Sequence, residues 1–314
     1  MEDHNRTLVN TFHILGFSSF HKFQRVLFVI ILLTYLITIT GNMLIIVVVR
    51  VESYLQSPMY LFVSTLSVLE IVYISVTVPK LLALLLGANP IISFVGCFTQ
   101  LYVFHSLGIS ECFLLAVMAF DRYLAICKPL HYTTIMTNQL CIKLCALCWF
   151  VGFLAALIPA ILTARIPFCV SNEINHFICD LGPLLSLACS DITLNIMVNT
   201  SVAGSAIIIP ICSILGFYVN IIWAILQIKT TDGRYKAFST CSSHLIVVGL
   251  FFGSTTIVYM RPKGGRSVEH DKMFALMYAI ITPMLNPFIY TLRNKDVREA
   301  FKKYVRKLSM TRNL

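Results

Sequence analysis

Two acids set in the middle of long apolar runs are the first residues that could do chemistry. Glu70 interrupts the run 59–86, and Glu111 interrupts the run 97–127. A charged acid at a bilayer centre costs on the order of 2.5–3.5 kcal/mol on the insertion scale. Both are therefore expected to face a protein interior. There they share a proton, flank a cation, or stand as two separately protonated, hydrogen-bonded acids. His105 shares a helix face with Leu101, Gly108 and Cys112, and Phe104 and Ile109 border that face. Lys80 lies near the end of its run and can snorkel, so no role is assigned to it. Cys141, Cys145 and Cys148 recur at helical spacing, but no His or acid joins them, and no metal site is expected. No HExxH, GxSxG, paired intramembrane Asp or Gly-rich phosphate loop occurs, so an enzyme is not expected, nor is a cofactor.

The elements that must position these residues follow from composition. Of 314 residues, 58% are hydrophobic and 12% charged, with a mean hydropathy of +0.83. Average soluble domains are about half apolar and roughly a quarter charged. This chain has too little charge to coat a water-soluble surface, and too many aromatic and aliphatic residues for disorder. A helix needs roughly 20 apolar residues to cross a hydrocarbon core. Seven stretches qualify: 26–49, 59–86, 97–127, 144–164, 192–228, 237–260 and 273–292. Pro210, Pro283 and Pro287 free backbone carbonyls and are expected to bend their helices. The net charge of +10 points to membrane lipid as the partner, and no nucleic acid is expected. A channel or transporter would want polar residues repeated along several spans, and only Glu70 and Glu111 qualify.

With the N-terminus outside, the inner segments carry fifteen Lys and Arg against five acids, and the outer segments eight against seven. The positive-inside rule therefore favours a cytoplasmic C-terminus. Asn5-Arg6-Thr7 is a glycosylation sequon at Asn5, in agreement with that orientation. Asn199-Thr200-Ser201 also fits the pattern but lies within span five. The first 25 residues are mixed and polar, so span one is expected to act as signal anchor. The chain thus divides into an outer tail (1–25), a seven-span domain (26–292) and a cytoplasmic segment (293–314). The last is expected to form an amphipathic helix over 294–308 on the inner leaflet. Cys97, Cys169, Cys179 and Cys189 fall on the outer side, where three pairings are possible. Cys97 opens span three, so a bond from it would pin the long loop 167–191 over the bundle.

Asp121-Arg122-Tyr123 closes span three, and Asn286-Pro287-Phe288-Ile289-Tyr290 closes span seven. The pair resembles the rhodopsin-like G-protein-coupled receptors. Narrower strings are Leu55-Gln56-Ser57-Pro58-Met59-Tyr60, Met118-Ala119-Phe120-Asp121-Arg122-Tyr123-Leu124-Ala125-Ile126-Cys127, Lys236-Ala237-Phe238-Ser239-Thr240-Cys241-Ser242-Ser243-His244-Leu245 and Pro283-Met284-Leu285-Asn286-Pro287. These are similar to the olfactory (odorant) receptors over nearly the whole chain. A non-olfactory receptor of the same class, for a small apolar ligand, is the alternative. Phe104 and Ile280 stand where amine receptors carry an Asp and opsins a Lys, so neither a charged amine nor retinal is suggested.

The resemblance implies an all-α seven-transmembrane helix bundle in the plasma membrane, with a small volatile odorant and a heterotrimeric G protein of the olfactory Gs type, raising cAMP, as partners. It implies a ligand set of Leu101, Phe104, His105, Gly108, Ile109, Val202, Ala206, Phe252, Thr255, Thr256, Tyr259, Leu276 and Ala279. Phe252 stands at the toggle position, where the family has Tyr. No ionised side chain is expected in the central layer of this pocket, with Lys80 and Arg261 at most on its rim. The implied switch comprises Asp121, Arg122, Tyr123, Tyr218, Lys236, His244, Asn286, Pro287 and Tyr290, with Asp121 holding Arg122 at rest and Arg122 swinging toward Tyr218 and Tyr290 on activation. The implied disulfides are Cys97–Cys179 and Cys169–Cys189.

Overall fold

A computed structural model describes residues 9–17, 22–169, 171–260 and 268–293, together with Val297 and Glu299. Its helices are α1 (Gln24–Val51), α2 (Pro58–Leu85), α3 (Phe94–Cys127), α4 (Pro129–Ile135), α5 (Asn138–Ala164), α6 (Leu181–Leu185), α7 (Thr193–Gln227), α8 (Thr231–Tyr259), α9 (Val268–Leu276) and α10 (Thr282–Arg293). A π turn, Met277–Ile281, joins the last two. Spans one to six are α1, α2, α3, α5, α7 and α8, and span seven runs through α9, the π turn and α10. Seven helices are thus long and apolar enough to cross a membrane. The longest, α7, has 35 residues. At 1.5 Å per residue it is about 52 Å long, well beyond a hydrocarbon core of about 30 Å.

Starts and bends have local causes. Ser93 Oγ accepts from the Gly96 amide at 3.0 Å and caps α3, and Thr137 does the same for α5 through Leu140. Pro58 begins α2, where its missing N–H is not needed. Pro79, Pro159, Pro210 and Pro287 lie inside helices. Pro283 instead follows the π turn. It can offer no amide to the carbonyl a turn earlier, so the helix widens there, and Thr282 Oγ1 donates to the Met277 carbonyl at 3.2 Å.

The bundle packs around α3, which touches α2, α5, α7 and α8. Its approach to α5 depends on Gly152. A Cβ there would meet the Ser106 carbonyl and the Ser110 side chain, and would lie 2.9 Å from the Ser110 amide. Gly41 similarly admits Pro287, whose Cβ would be 3.0 Å from an added methyl. On the outward face large apolar side chains stand exposed, among them Phe150, Leu154 and Ile158 on α5 and Val219 and Trp223 on α7. In water such a band would be an aggregation surface, whereas in lipid it is the solvated face.

Three strands at one end of the bundle were not expected. β1 (Thr11–Ile14) lies between β2 (Ile91–Ser93), to which it is antiparallel, and β3 (Glu173–Ile174), to which it is parallel. Phe12 and Ile14 point inward and are fully buried, which fixes the register. This sheet end joins the chain's first described residues to the long loop. Two short helices, α4 and α6, were also not anticipated, and α8 begins six residues before the run 237–260. Asn5, the sequon expected to be glycosylated, lies outside the described residues. So do the cations 261, 263 and 266, and the helix expected over 294–308 apart from Val297 and Glu299.

Candidate functional site

A cavity of about 1470 Å³ opens between α3, α5, α7 and α8 below the sheet end. From the expected ligand set, Leu101, Phe104, His105, Gly108, Ile109, Val202, Ala206, Thr255 and Tyr259 line it. Phe252, Thr256, Leu276 and Ala279 do not. In their place the wall carries Phe251, one position earlier on α8, and Tyr278 from the π turn. Phe252 packs edge-on against Phe251, at 5.4 Å and 89° between rings. On span seven the resemblance implies Leu276 and Ala279, and the π turn at these positions changes which residues face the bundle interior relative to a regular helix. Ala279 is buried among side chains of α2 and α3 instead.

The sheet end of the cavity, beyond the central layer in which no ionised side chain is expected, carries an acid. Asp180, from the long loop, is buried on the cavity wall with Oδ1 3.2 Å from His105 Nε2, an ion-pair distance. The other imidazole nitrogen, Nδ1, lies 2.9 Å from the Leu101 carbonyl. Burial opposes ionisation of Asp180. His105, His176 and the Leu181 amide, which donates to Oδ1 at 2.7 Å, outweigh it and hold the carboxyl below the usual carboxylate range. Glu173 and Asp271 add acids to the rim. Lys80 is elsewhere, with Nζ donating to the Asn89 and Ile91 carbonyls at 3.1 and 2.8 Å. Lys272, in the expected outer loop, is instead fully buried and donates to Asn175 Oδ1 at 2.7 Å and Glu269 Oε1 at 3.1 Å.

The long loop is fastened over the cavity by several links. Disulfides join Cys97 to Cys179 and Cys169 to Cys189. Gln100 on α3 adds a third tie: its Oε1 accepts from the Cys179 amide at 3.0 Å, and its Nε2 donates to the Val76 carbonyl at 2.9 Å. Phe177 stacks on Phe17 from the N-terminal segment, with ring centroids 5.4 Å apart.

Deeper in the bundle Glu70 and Glu111 lie within Coulombic reach of each other, both buried. The hydrogen-bond partner of Glu70 is Asn286, whose Nδ2 donates to Oε1. The acid of α2 is thereby tied to the Asn-Pro motif of α10. Glu70 Oε2, Glu111 Oε1, Asn286 Oδ1 and the Tyr290 hydroxyl are buried with no hydrogen-bond partner among the described residues.

At the opposite end from the sheet, Asp121 Oδ1 accepts from the Tyr132 hydroxyl of α4 at 2.8 Å. The expected partner, Arg122, makes no ion pair with it among the described residues, although its charge is close enough to act on Asp121. Arg122 is largely buried, within Coulombic reach of Tyr218, Cys241, His244 and Tyr290. His244 bridges three helices: Nε2 donates to the Leu115 carbonyl of α3 at 3.1 Å, and Nδ1 accepts from the Tyr218 hydroxyl of α7 at 2.8 Å. Tyr123 packs on Phe217 at 5.5 Å. The Lys236 side chain lies outside the described residues.

An apolar cavity under a disulfide-fastened loop, with an arginine and a three-helix histidine bridge at the far end, is the layout of a ligand-gated switch. A family model described as olfactory receptor matches residues 31–307. The chain belongs to the olfactory receptor family. It is 45% identical over 310 residues to human Olfactory receptor 6N1, covering 99% of each chain. It is 46% identical over 301 residues to human Olfactory receptor 11H6, covering 95% of this chain and 91% of that one. With mouse Olfactory receptor 1M1 the identity is 46% over 310 residues, covering 98% and 99%. The chain is thus an odorant-sensing, multi-pass G-protein-coupled receptor, and not an enzyme.

Asp180, Asn199, Phe251, Tyr278, Gln100 and Tyr132 are the residues of this olfactory receptor that sequence reasoning did not select. Asp180 directly follows Cys179, so the disulfide that pins the loop also delivers the carboxylate; that adjacency was the available signal. Asn199 was visible only as part of a sequon in an apolar helix, where a buried amide could have raised the same question as the buried acids.

Proposed function

We propose that this receptor binds small neutral volatile molecules inside the cavity and activates an olfactory Gs-type G protein, raising cAMP. The observation that carries the reading is the cavity, walled mainly by apolar side chains of α3, α7 and α8. A neutral volatile gains about 25 cal/mol per Å² of apolar area removed from water. A charged ligand would lose its hydration with few partners in the central layer, at a cost of several kcal/mol. Asp180 lies at the sheet end and already has His105 Nε2 3.2 Å from its Oδ1. So small an apolar area supports binding near micromolar, where 1 μM corresponds to about −8.2 kcal/mol.

The sheet end is outside and the Arg122 end cytoplasmic, in keeping with the excess of basic residues on the inner segments. Anionic lipid is the partner that the excess of basic residues in the C-terminal sequence favours. At rest His244 ties α8 to α3 and α7. Each bond contributes about 0.5–1.5 kcal/mol net, an amount that the differential binding of a weak ligand is able to offset. Release of α8 frees Arg122 and Tyr218 to receive the G protein, with Asp121 and Tyr123 at the same end of the bundle. Glu70, Glu111, Asn286, Pro287 and Tyr290 link the cavity to that face. Glu70 and Glu111 share a proton or a cation there.

The test is a screen of neutral volatiles and matched carboxylates and ammonium ions on the expressed receptor, read as cAMP. It is repeated in Ala206→Trp, which fills the cavity. Neutral agonists silenced by Ala206→Trp at normal surface expression are expected. Best agonists that are all charged, or a response indifferent to Ala206→Trp, refute the assignment.

A further inference from the structure

Several polar groups on the cavity wall are engaged by the protein itself. His105 is committed through Nδ1 to the Leu101 carbonyl and through Nε2 to Asp180. The Tyr259 and Tyr278 hydroxyls bond to each other at 2.6 Å. Thr255 Oγ1 donates back to the Phe251 carbonyl at 2.8 Å. Of these groups only His105 Nε2 lacks a hydrogen bond among the described residues, and it already faces the Asp180 carboxylate at 3.2 Å.

Asn199 is different. It lies on α7, on the cavity wall, and both Nδ2 and Oδ1 are buried without a hydrogen-bond partner among the described residues. An amide in that state has lost its water and gained nothing in return. A primary amide carries two donors and an acceptor with two lone pairs. A ligand group that both donates and accepts can satisfy both ends. A ketone or ether meets only Nδ2, and a hydrocarbon meets neither. Sites built around a polar group reject the analogue that lacks the partner far more strongly than apolar walls reject a missing methylene.

We infer that Asn199 anchors the polar head of the ligand and sets selectivity for alcohols and carboxamides over ethers and hydrocarbons of the same skeleton. This rests on the reading of the cavity as the odorant site. It adds a polar contact on α7 to those that the expected set offers on α3 and α8, namely His105, Thr255, Thr256 and Tyr259. Asn195, one turn away on the same helix, also has a buried Nδ2 without a partner but is not on the cavity wall. It serves as the internal control.

The experiment uses the full-length receptor in cells, with surface expression measured in parallel. The probes are an alcohol, carboxamide, ketone, methyl ether and hydrocarbon on each of an octyl, a phenylethyl and a cyclohexylethyl skeleton. On any skeleton that activates the wild type, the alcohol or carboxamide is expected to be the most potent. Asn199→Leu should raise its half-maximal concentration by about tenfold or more and leave the ether and hydrocarbon nearly unchanged. Asn199→Thr, which keeps a donor and an acceptor, should retain the preference for the alcohol, and Asn195→Leu should behave as wild type. Unchanged potencies in Asn199→Leu, or an equal loss for every probe, overturn the role of Asn199. Ala206→Trp separates this from the underlying reading. If it silences the receptor while Asn199→Leu has no effect, the cavity stands and the anchor falls. If it has no effect, or if the wild type is silent to every skeleton, the cavity reading falls and takes the anchor with it.

Discussion

Acidification should loosen the loop that covers the cavity, through His176. The imidazole is buried, stacked on Phe177 at 4.6 Å, and its Nδ1 accepts from the Ile178 amide at 3.3 Å, so the proton sits on Nε2. Burial pushes its pKa down from 6.5 to about 4; Lys272 adds to this, and Asp180 and Asp271 oppose it. A histidine with a depressed pKa favours the closed loop fully only above the pKa it has when opened. The opened loop takes up a proton below about pH 6.5, the closed loop only near pH 4, so the closed form weakens throughout that window. With those two values, going from about pH 7.5 to about pH 5 favours opening by roughly 25-fold, or about 2 kcal/mol. The assay is amide hydrogen exchange on purified receptor, corrected for the intrinsic pH dependence of exchange. Informative amides are Leu15 and Gly16, bonded to the Ile174 and His176 carbonyls at 3.0 Å, along with Ile178 and Cys179. Their protection should fall by about that factor, and His176→Asn should flatten the dependence. Protection that stays level or rises as pH falls, or the same slope in His176→Asn, refutes the reasoning.

Three further outcomes follow from the same geometry. Arg122→Ala should abolish odorant-evoked cAMP while surface delivery and ligand binding persist, because the residue lies at the opposite end from the cavity; a normal cAMP response contradicts its role. Cys97→Ser should remove the bond to Cys179, which closes 82 residues of chain. The chain-entropy estimate for such a loop is about 4.5 kcal/mol, so surface delivery should collapse, and unaltered delivery counts against the fastening of the loop. Gly152→Ala should drive α3 and α5 apart, with an overpacking cost of about 1–3 kcal/mol read as a lower thermal midpoint in detergent; an unchanged midpoint would show that the contact is not tight.

The helices were legible because membrane spans announce themselves by length and apolarity, and each of the seven stretches became a helix of similar extent. What was hidden has a physical reason in each case. The strands are four, three and two residues long, too short for a period to rise above chance, although the alternation that buries Phe12 and Ile14 was present in Thr11-Phe12-His13-Ile14. The faces of α3 were read correctly as a surface, since a regular helix keeps its period from Leu101 to Cys112. On span seven the residues that the resemblance implies, Leu276 and Ala279, do not line the cavity, whereas Tyr278 of the π turn does. Asp180, and the Cys179 amide that donates to Gln100 of α3, reach their positions through the fold of the long loop, and the Tyr132–Asp121 bond depends on α4 turning back against α3.

The most direct test of the central claim, that the ligand sits inside the bundle, is photoaffinity mapping with an aliphatic diazirine alcohol on the purified, full-length receptor. The account predicts adducts on residues of the cavity wall, such as Ile109, Val202, Ala206 and Thr255, reduced by an excess of an unlabelled agonist from the screen. Adducts confined to outward-facing side chains such as Phe150, Leu154 and Trp223, and unaffected by the competitor, would contradict it.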